Sequence, residues 1–269
     1  MKALKALAGS FAFAVAISGC GGRVTASSTS TASPTPADPA PPKAPKVVLI
    51  GDSITYYMGQ PSINPLYAQH PEWNDQGVIG QVSGQLMLRF ADDVVSQHPA
   101  IAIILTGTND VYPGWILCGG SEVFDTCDNI KAMVKMAQDA GIVPILATIP
   151  PWGPGITAEA NDPSPARYPR IDDLNQWIQQ YAFDNGLAVI DYHSALVDAD
   201  GEHYKAGLST DGVHPTTAGY AIMTLLAVDA IGWVERLGGL TPAGRPSPAA
   251  TSSREELRLL RSGIVADES

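Results

Sequence analysis

Between Lys46 and about Gly239, short apolar or β-branched runs alternate with longer stretches of helical period. Runs at 47–50, 101–105, 143–147 and 187–190 read as buried strands, because a strand covered on both faces is apolar throughout rather than alternating. A weaker strand is expected at 78–79. Helices are expected over 85–96, 129–140, 171–185 and 217–236, with Asp128 as an N-cap and Gly141 and Gly186 as stops. Strand and helix in strict alternation predict one α/β domain over 46–239, with its loops gathered at the carboxyl ends of the strands.

The ends of the chain do not share this pattern. Lys2 and Lys5 precede an apolar stretch from Ala6 to Ile17, and then comes Ile17-Ser18-Gly19-Cys20. This has the plan of a secretory signal, and the small residues before Cys20 resemble the lipobox of bacterial lipoproteins. The resemblance implies a signal peptide over 1–20, cleavage before Cys20 and acylation of its thiol. It also implies a membrane as partner and the bacterial cell envelope as location. Residues 21–45 contain 14 Ser, Thr or Pro in 25 and show no hydrophobic period, so they read as a linker. Residues 240–269 read as a flexible tail with one marginal helix over 254–261.

Composition narrows the partners. With 27 acidic against 16 basic residues among 269, the formal charge is -11 and the pI about 4.7. No basic cluster offsets that charge, so nucleic-acid binding is disfavoured. A hydrophobic content of 45% excludes an overall disordered chain, and three cysteines exclude a disulfide-dense mini-scaffold. No run of 18 or more apolar residues is present to span a bilayer. No protein partner is implied.

The chemistry-bearing residues cluster where strands end. Gly51-Asp52-Ser53-Ile54-Thr55 follows the first strand, Gly107-Thr108-Asn109-Asp110 follows the strand at 101–105, and Asp211-Gly212-Val213-His214-Pro215 precedes the last helix. A serine hydroxyl is a weak nucleophile until a neighbouring base takes its proton, and imidazole suits that role near neutrality. His214 is the candidate base for Ser53. Asp211, three residues earlier, can fold back to the far ring nitrogen. Candidate oxyanion donors are the backbone amides of Ser53 and Gly84 and the side chain of Asn109. Asp52 is expected to face away from Ser53 and bond backbone amides, and Asp110 to be structural.

These four blocks, GDSIT, GVIGQVSGQ, GTND and DGVHP, occur in the order found in the SGNH, or GDSL-type, hydrolases, which the chain resembles over about 47–234. The resemblance implies a flavodoxin-like three-layer α/β/α sandwich around a five-stranded parallel sheet. It further implies ester hydrolysis without a metal or other cofactor, with a small-molecule or glycan ester as substrate. Carbohydrate O-acetylesterases, lysophospholipases and sugar O-acyltransferases share this machinery. A non-catalytic carbohydrate-binding lipoprotein would share only the fold.

Three other features need weighing. Asp200-Gly201-Glu202-His203 repeats the Asp-x-x-His spacing. It has the composition of an exposed turn, whereas His214 leads into a long apolar helix that would fix its loop. Cys118 and Cys127 flank a Gly-containing loop after Asn109, where a disulfide is expected in an oxidising compartment. Tyr56, Tyr57, Tyr112, Trp115 and Trp152 fall in expected loops bordering the site. No His or Cys spacing suggests zinc.

Overall fold

The computed structural model describes residues 46–112, 116–120, 125–153 and 167–237. All belong to one unit, Lys43–Ser269. The signal segment with Cys20, the linker 21–45, Trp115 and the tail 240–269 lie outside the described residues.

Five strands, β1 (Val47–Gly51), β2 (Trp73–Gly77), β3 (Ile101–Leu105), β4 (Val143–Ala147) and β5 (Ala188–Ile190), form one sheet in the order β2-β1-β3-β4-β5. Every pairing is parallel, with Val47 opposite Trp73 on one side and Ile101 on the other. This is the flavodoxin-like order, a three-layer sandwich in which the connecting helices cover both faces. Each residue of β1 and β3 is buried, as continuous apolar runs require. The direction of winding reverses between β1 and β3, and sheets of this kind bind their ligands beyond the carboxyl ends of the strands at such a switch point.

The helices are α1 (Ser53–Met58), α2 (Ser83–Asp93), α3 (Thr126–Asp139), α4 (Arg167–Asp184), α5 (Tyr192–Leu196) and α6 (Thr217–Arg236). The last has the expected bounds. By length and composition α6 could cross a membrane, but half of it is buried, with Tyr220, Met223, Ala227 and Val234 in the core. α1 and α5 span six and five residues, too few for a hydrophobic period to register. Tyr56 and Tyr57 therefore stand on α1 rather than in a loop.

The structure corrects several expected elements. The second strand is not 78–79 but Trp73–Gly77, whose sequence WNDQG is polar because it forms the edge of the sheet. Val78 and Ile79 are left 40% and 56% exposed beyond its end. Asp75 in this edge strand is largely buried, and burial pushes its carboxyl up to about 7, against the Gly77 amide and the Arg89 guanidinium, which pull it down. α3 is capped not by Asp128 but by Asp125, whose carboxylate accepts from the Asp128 amide at 2.8 Å. Asp128 instead supplies first-turn negative charge, favourable at a helix N-terminus. α2 begins two residues before the expected start and gives way at its end to a 3-10 turn, Val95–Gln97. α4 begins four residues early, at Arg167.

Candidate active site

β1 delivers its chain directly into α1. Gly51 makes the junction, and a Cβ there would overlap the Thr55 side chain and lie 2.7 Å from the Leu105 carbonyl oxygen. Asp52 caps α1, its Oδ1 accepting from the Ile54 amide at 2.9 Å. Burial pushes this carboxyl up to about 7, with the Ile54 bond opposing and nearby Asp110 reinforcing the rise. With the cap provided by Asp52, Ser53 occupies the first helical position and its hydroxyl is committed elsewhere.

That hydroxyl lies 2.9 Å from His214 Nε2. His214 Nδ1 lies 2.7 Å from Asp211 Oδ2, while Asp211 Oδ1 accepts from the backbone amides of Val213 and His214 at 2.8 and 2.7 Å. The turn needs Gly212, whose φ of 80° is the left-handed region that residues with a Cβ avoid. With Nδ1–H given to the carboxylate, Nε2 is left to accept from serine. Partial burial works to raise the Asp211 carboxyl, but the bonds from the His214 ring and from the two amides outweigh it and hold it below the usual carboxylate range. It therefore stays ionised, and able to orient the ring, into mildly acidic solution.

Neighbouring segments lock this loop. Tyr204 donates from its hydroxyl to the Val213 carbonyl at 2.9 Å, the Gly153 amide donates to the Gly212 carbonyl at 2.6 Å, and Ser209 Oγ both accepts from Gly212 and donates to the His214 carbonyl. Tyr57, one helical turn beyond Ser53, sets its ring edge-to-face against the imidazole with centroids 5.0 Å apart. The i, i+4 spacing on a helix would have suggested this contact, had α1 been legible.

The other expected oxyanion donors, Asn109 and Gly84, stand in the loop after β3 and at the start of α2. Asn109 donates from Nδ2 to the Gln81 carbonyl at 2.9 Å, which fixes the amide and leaves its second N–H available. Gly84 is the second residue of α2, where no intrahelical acceptor exists. Asp110, buried between them, accepts from the Ser83 amide, the Ser83 hydroxyl and Thr126 Oγ1. Burial raises its carboxyl while those bonds work against the rise. Arg89 of α2 straps the rim from below, donating to the Gly51 and Gln76 carbonyls and to Gln81 Oε1. From α4, Arg170 donates to the Val111 carbonyl at 2.9 Å.

Asp200 and His203 form the same turn as Asp211 and His214. Asp200 accepts from the Glu202 and His203 amides and from His203 Nδ1 at 2.6 Å, and Gly201 has a φ of 81°. The two backbone bonds and the ring bond hold the Asp200 carboxyl at about 2. His203 Nε2, however, meets the Tyr168 hydroxyl at 3.0 Å, not a serine. Of the aromatic residues expected at the site, Trp152 is buried and stands edge-on to Tyr112, and the Arg167 guanidinium fits the corner between them, 4.1 and 3.9 Å from the two ring centroids. The cation joins the loop after β3 to the loop after β4. Cys118 and Cys127 are joined in a disulfide that ties the loop after β3 to the first turn of α3.

A strand-to-helix serine bonded to an Asp–His pair at a topological switch point is the arrangement of a serine hydrolase of carboxylic esters. Residues 49–222 match the GDSL-like lipase/acylhydrolase family, and the chain belongs to it. It is 26% identical over 177 residues to an acetylxylan esterase from Geobacillus stearothermophilus, covering 63% of this chain and 78% of that protein. The crystal structure of a GDSL-like lipase from Bacteroides thetaiotaomicron is 30% identical and superposes with a TM-score of 0.60, covering 69% of this chain and 87% of that one. The fold is shared as well with a lipase/acylhydrolase from Enterococcus faecalis, at a TM-score of 0.54 and 23% identity over 74% of this chain and 98% of that one.

Proposed function

We propose that this ester hydrolase removes short acyl groups, O-acetyl foremost, from carbohydrates through an acyl-enzyme on Ser53, and that it works in the bacterial cell envelope, tethered by an acylated Cys20. The observation that carries the catalytic part is the continuous chain from Ser53 Oγ through His214 to the Asp211 carboxylate. In the first half-reaction Ser53 Oγ bonds to the acyl carbon as its proton passes to His214 Nε2. The carbonyl oxygen becomes an oxyanion facing the amides of Ser53 and Gly84 and the Asn109 side chain. Collapse breaks the bond to the alcohol, which leaves with the proton from Nε2. Water then repeats the sequence on the acyl-enzyme, giving its proton to His214 and releasing the acid. Asp211 holds the ring and balances the imidazolium charge that appears in both steps.

The sugar part of the reading is supported by the likeness to an acetylxylan esterase. Its test is a series of nitrophenyl esters from acetyl to octanoyl beside acetylated xylo-oligosaccharides. Catalytic efficiency is expected to fall as the acyl chain lengthens, with acetate released from the oligosaccharide. Efficiency that climbs with chain length, and no acetate released, would transfer the assignment to lipid esters. The anchor rests on the lipobox-like Ile17-Ser18-Gly19-Cys20. Mass spectrometry of the full chain expressed in a bacterium should find Cys20 diacylated or triacylated at a new amino terminus, and an unmodified Cys20 would remove the membrane from the proposal.

A further inference from the structure

A helix normally supplies its own N-cap: a Ser, Thr, Asp or Asn side chain accepts from the amide of the second or third helical residue. At the start of α2 the second residue is Gly84, and the N-cap position is held by Val82, which has the extended N-cap backbone (φ -92°, ψ 164°) but no side-chain oxygen. Gln85 Oε1 accepts from the Val82 amide at 3.1 Å, which is half of a capping box, but the oxygen that the N-cap side chain would give the first turn comes from another loop. Both Asp110 oxygens accept from the Ser83 amide at 3.1 Å, one residue earlier than a local cap would reach, and Asp110 Oδ1 also takes the Ser83 hydroxyl. Asn129 of α3 donates to Ser83 Oγ at 3.0 Å and Thr126 donates to Asp110, so the imported cap is held from two sides. No acceptor for the Gly84 N–H is found among the described residues. Glycine at 84 is not a packing necessity either, since a Cβ there would touch only Asn129 Nδ2, at an ordinary 3.6 Å.

We infer that Asp110 is a positioning residue which caps α2 in trans on Ser83, and that Val82 is apolar so that no local cap competes for the Gly84 amide, which stays aimed at the oxyanion. The inference rests on the reading of Gly84 as an oxyanion donor. It unites two opposed needs: the helix end keeps a negative partner, which stabilises it, while the one amide the reaction uses is spared. It also accounts for a buried carboxylate next to Asn109 that takes no part in the proton transfers.

The test is a nearly isosteric change, Val82→Thr, that adds a capping hydroxyl and little else. Compared with Val82→Ala, it should lower kcat for nitrophenyl acetate about five- to tenfold, the equivalent of one ordinary cap bond, with KM within about twofold and the melting temperature unchanged or raised. Val82→Asn should act in the same direction. A merely structural position would respond the other way, with stability and activity rising together. Equal kcat for the Thr and Ala variants overturns the inference. Gly84→Pro separates this from the underlying reading, because proline is tolerated in a first helical turn and deletes the N–H. If Gly84→Pro keeps full kcat, Gly84 is no donor and the reading falls. If it loses kcat while Val82→Thr does not, only the cap inference falls.

Discussion

Ser53→Ala is expected to abolish turnover of nitrophenyl acetate and the burst of nitrophenol that an acyl-enzyme produces. Ser53 as a whole is only 7% exposed, and the cap of α1 is the work of Asp52, so the substitution deletes one oxygen without touching the helix start. Far-ultraviolet circular dichroism and melting temperature should therefore match the wild type. Triad residues act as a unit, and removing the nucleophile of comparable enzymes costs on the order of a millionfold in kcat. A variant retaining even about one part in a hundred of wild-type kcat would show that another atom attacks the ester.

Nearly as large an effect is expected at the base, and here the molecule contains its own control. His214→Ala should lower kcat by about four orders of magnitude or more, since neither proton transfer can then be mediated. His203→Ala removes an imidazole held by an equivalent carboxylate, yet its Nε2 faces the Tyr168 phenol. Its kcat should stay within about twofold, because the bonds lost, to Asp200 and to Tyr168 of α4, lie apart from Ser53 and His214. Stopped assays of the two variants side by side give the answer, and a collapse of activity in His203→Ala with His214→Ala intact would reassign the base.

The contrast between these two histidines marks where sequence ceases to be informative. The Asp-Gly-x-His turn is set by four consecutive residues, so both copies could be read from spacing, and their hydrogen bonds are nearly the same. What Nε2 meets is decided by distant segments. The helix α6 that follows His214 was visible in its apolar period, and it was the ground for preferring that copy. Likewise β1, β3 and β4 stand out because burial on both faces demands unbroken apolar runs. β2 does not: as an edge strand it reads WNDQG, and the nearest hydrophobic signal, Val78 and Ile79, belongs to the exposed turn beyond it.

Within the site, the residues that carry motifs were legible and those that only connect motifs were not. Ser53, Gly84, Asn109, Asp211 and His214 announce themselves by their neighbours. The cross-links of Asp110 to Ser83, Arg170 to the Val111 carbonyl and Tyr57 to the imidazole span loops that meet only in the folded chain. Asp110 was legible as structural because an aspartate in that position suits a turn. That it serves as the end of a helix in another loop required coordinates.

The paired Asp-Gly-x-His turns also bear on how a new catalytic centre can arise. An oriented, proton-accepting imidazole is usually regarded as the hard part of such a centre, assembled from side chains scattered along a chain. Here it is a portable cassette of four residues, present at 200–203 and again at 211–214, and the two differ in address rather than in make-up. A lineage carrying such a cassette on any surface loop already owns most of the chemistry. What it lacks is a serine hydroxyl brought to the third corner by another segment, and donors for the oxyanion. The fold around 211–214 supplies these from β1, α2 and the loop after β3, whereas the turn at 200–203 meets only the Tyr168 phenol.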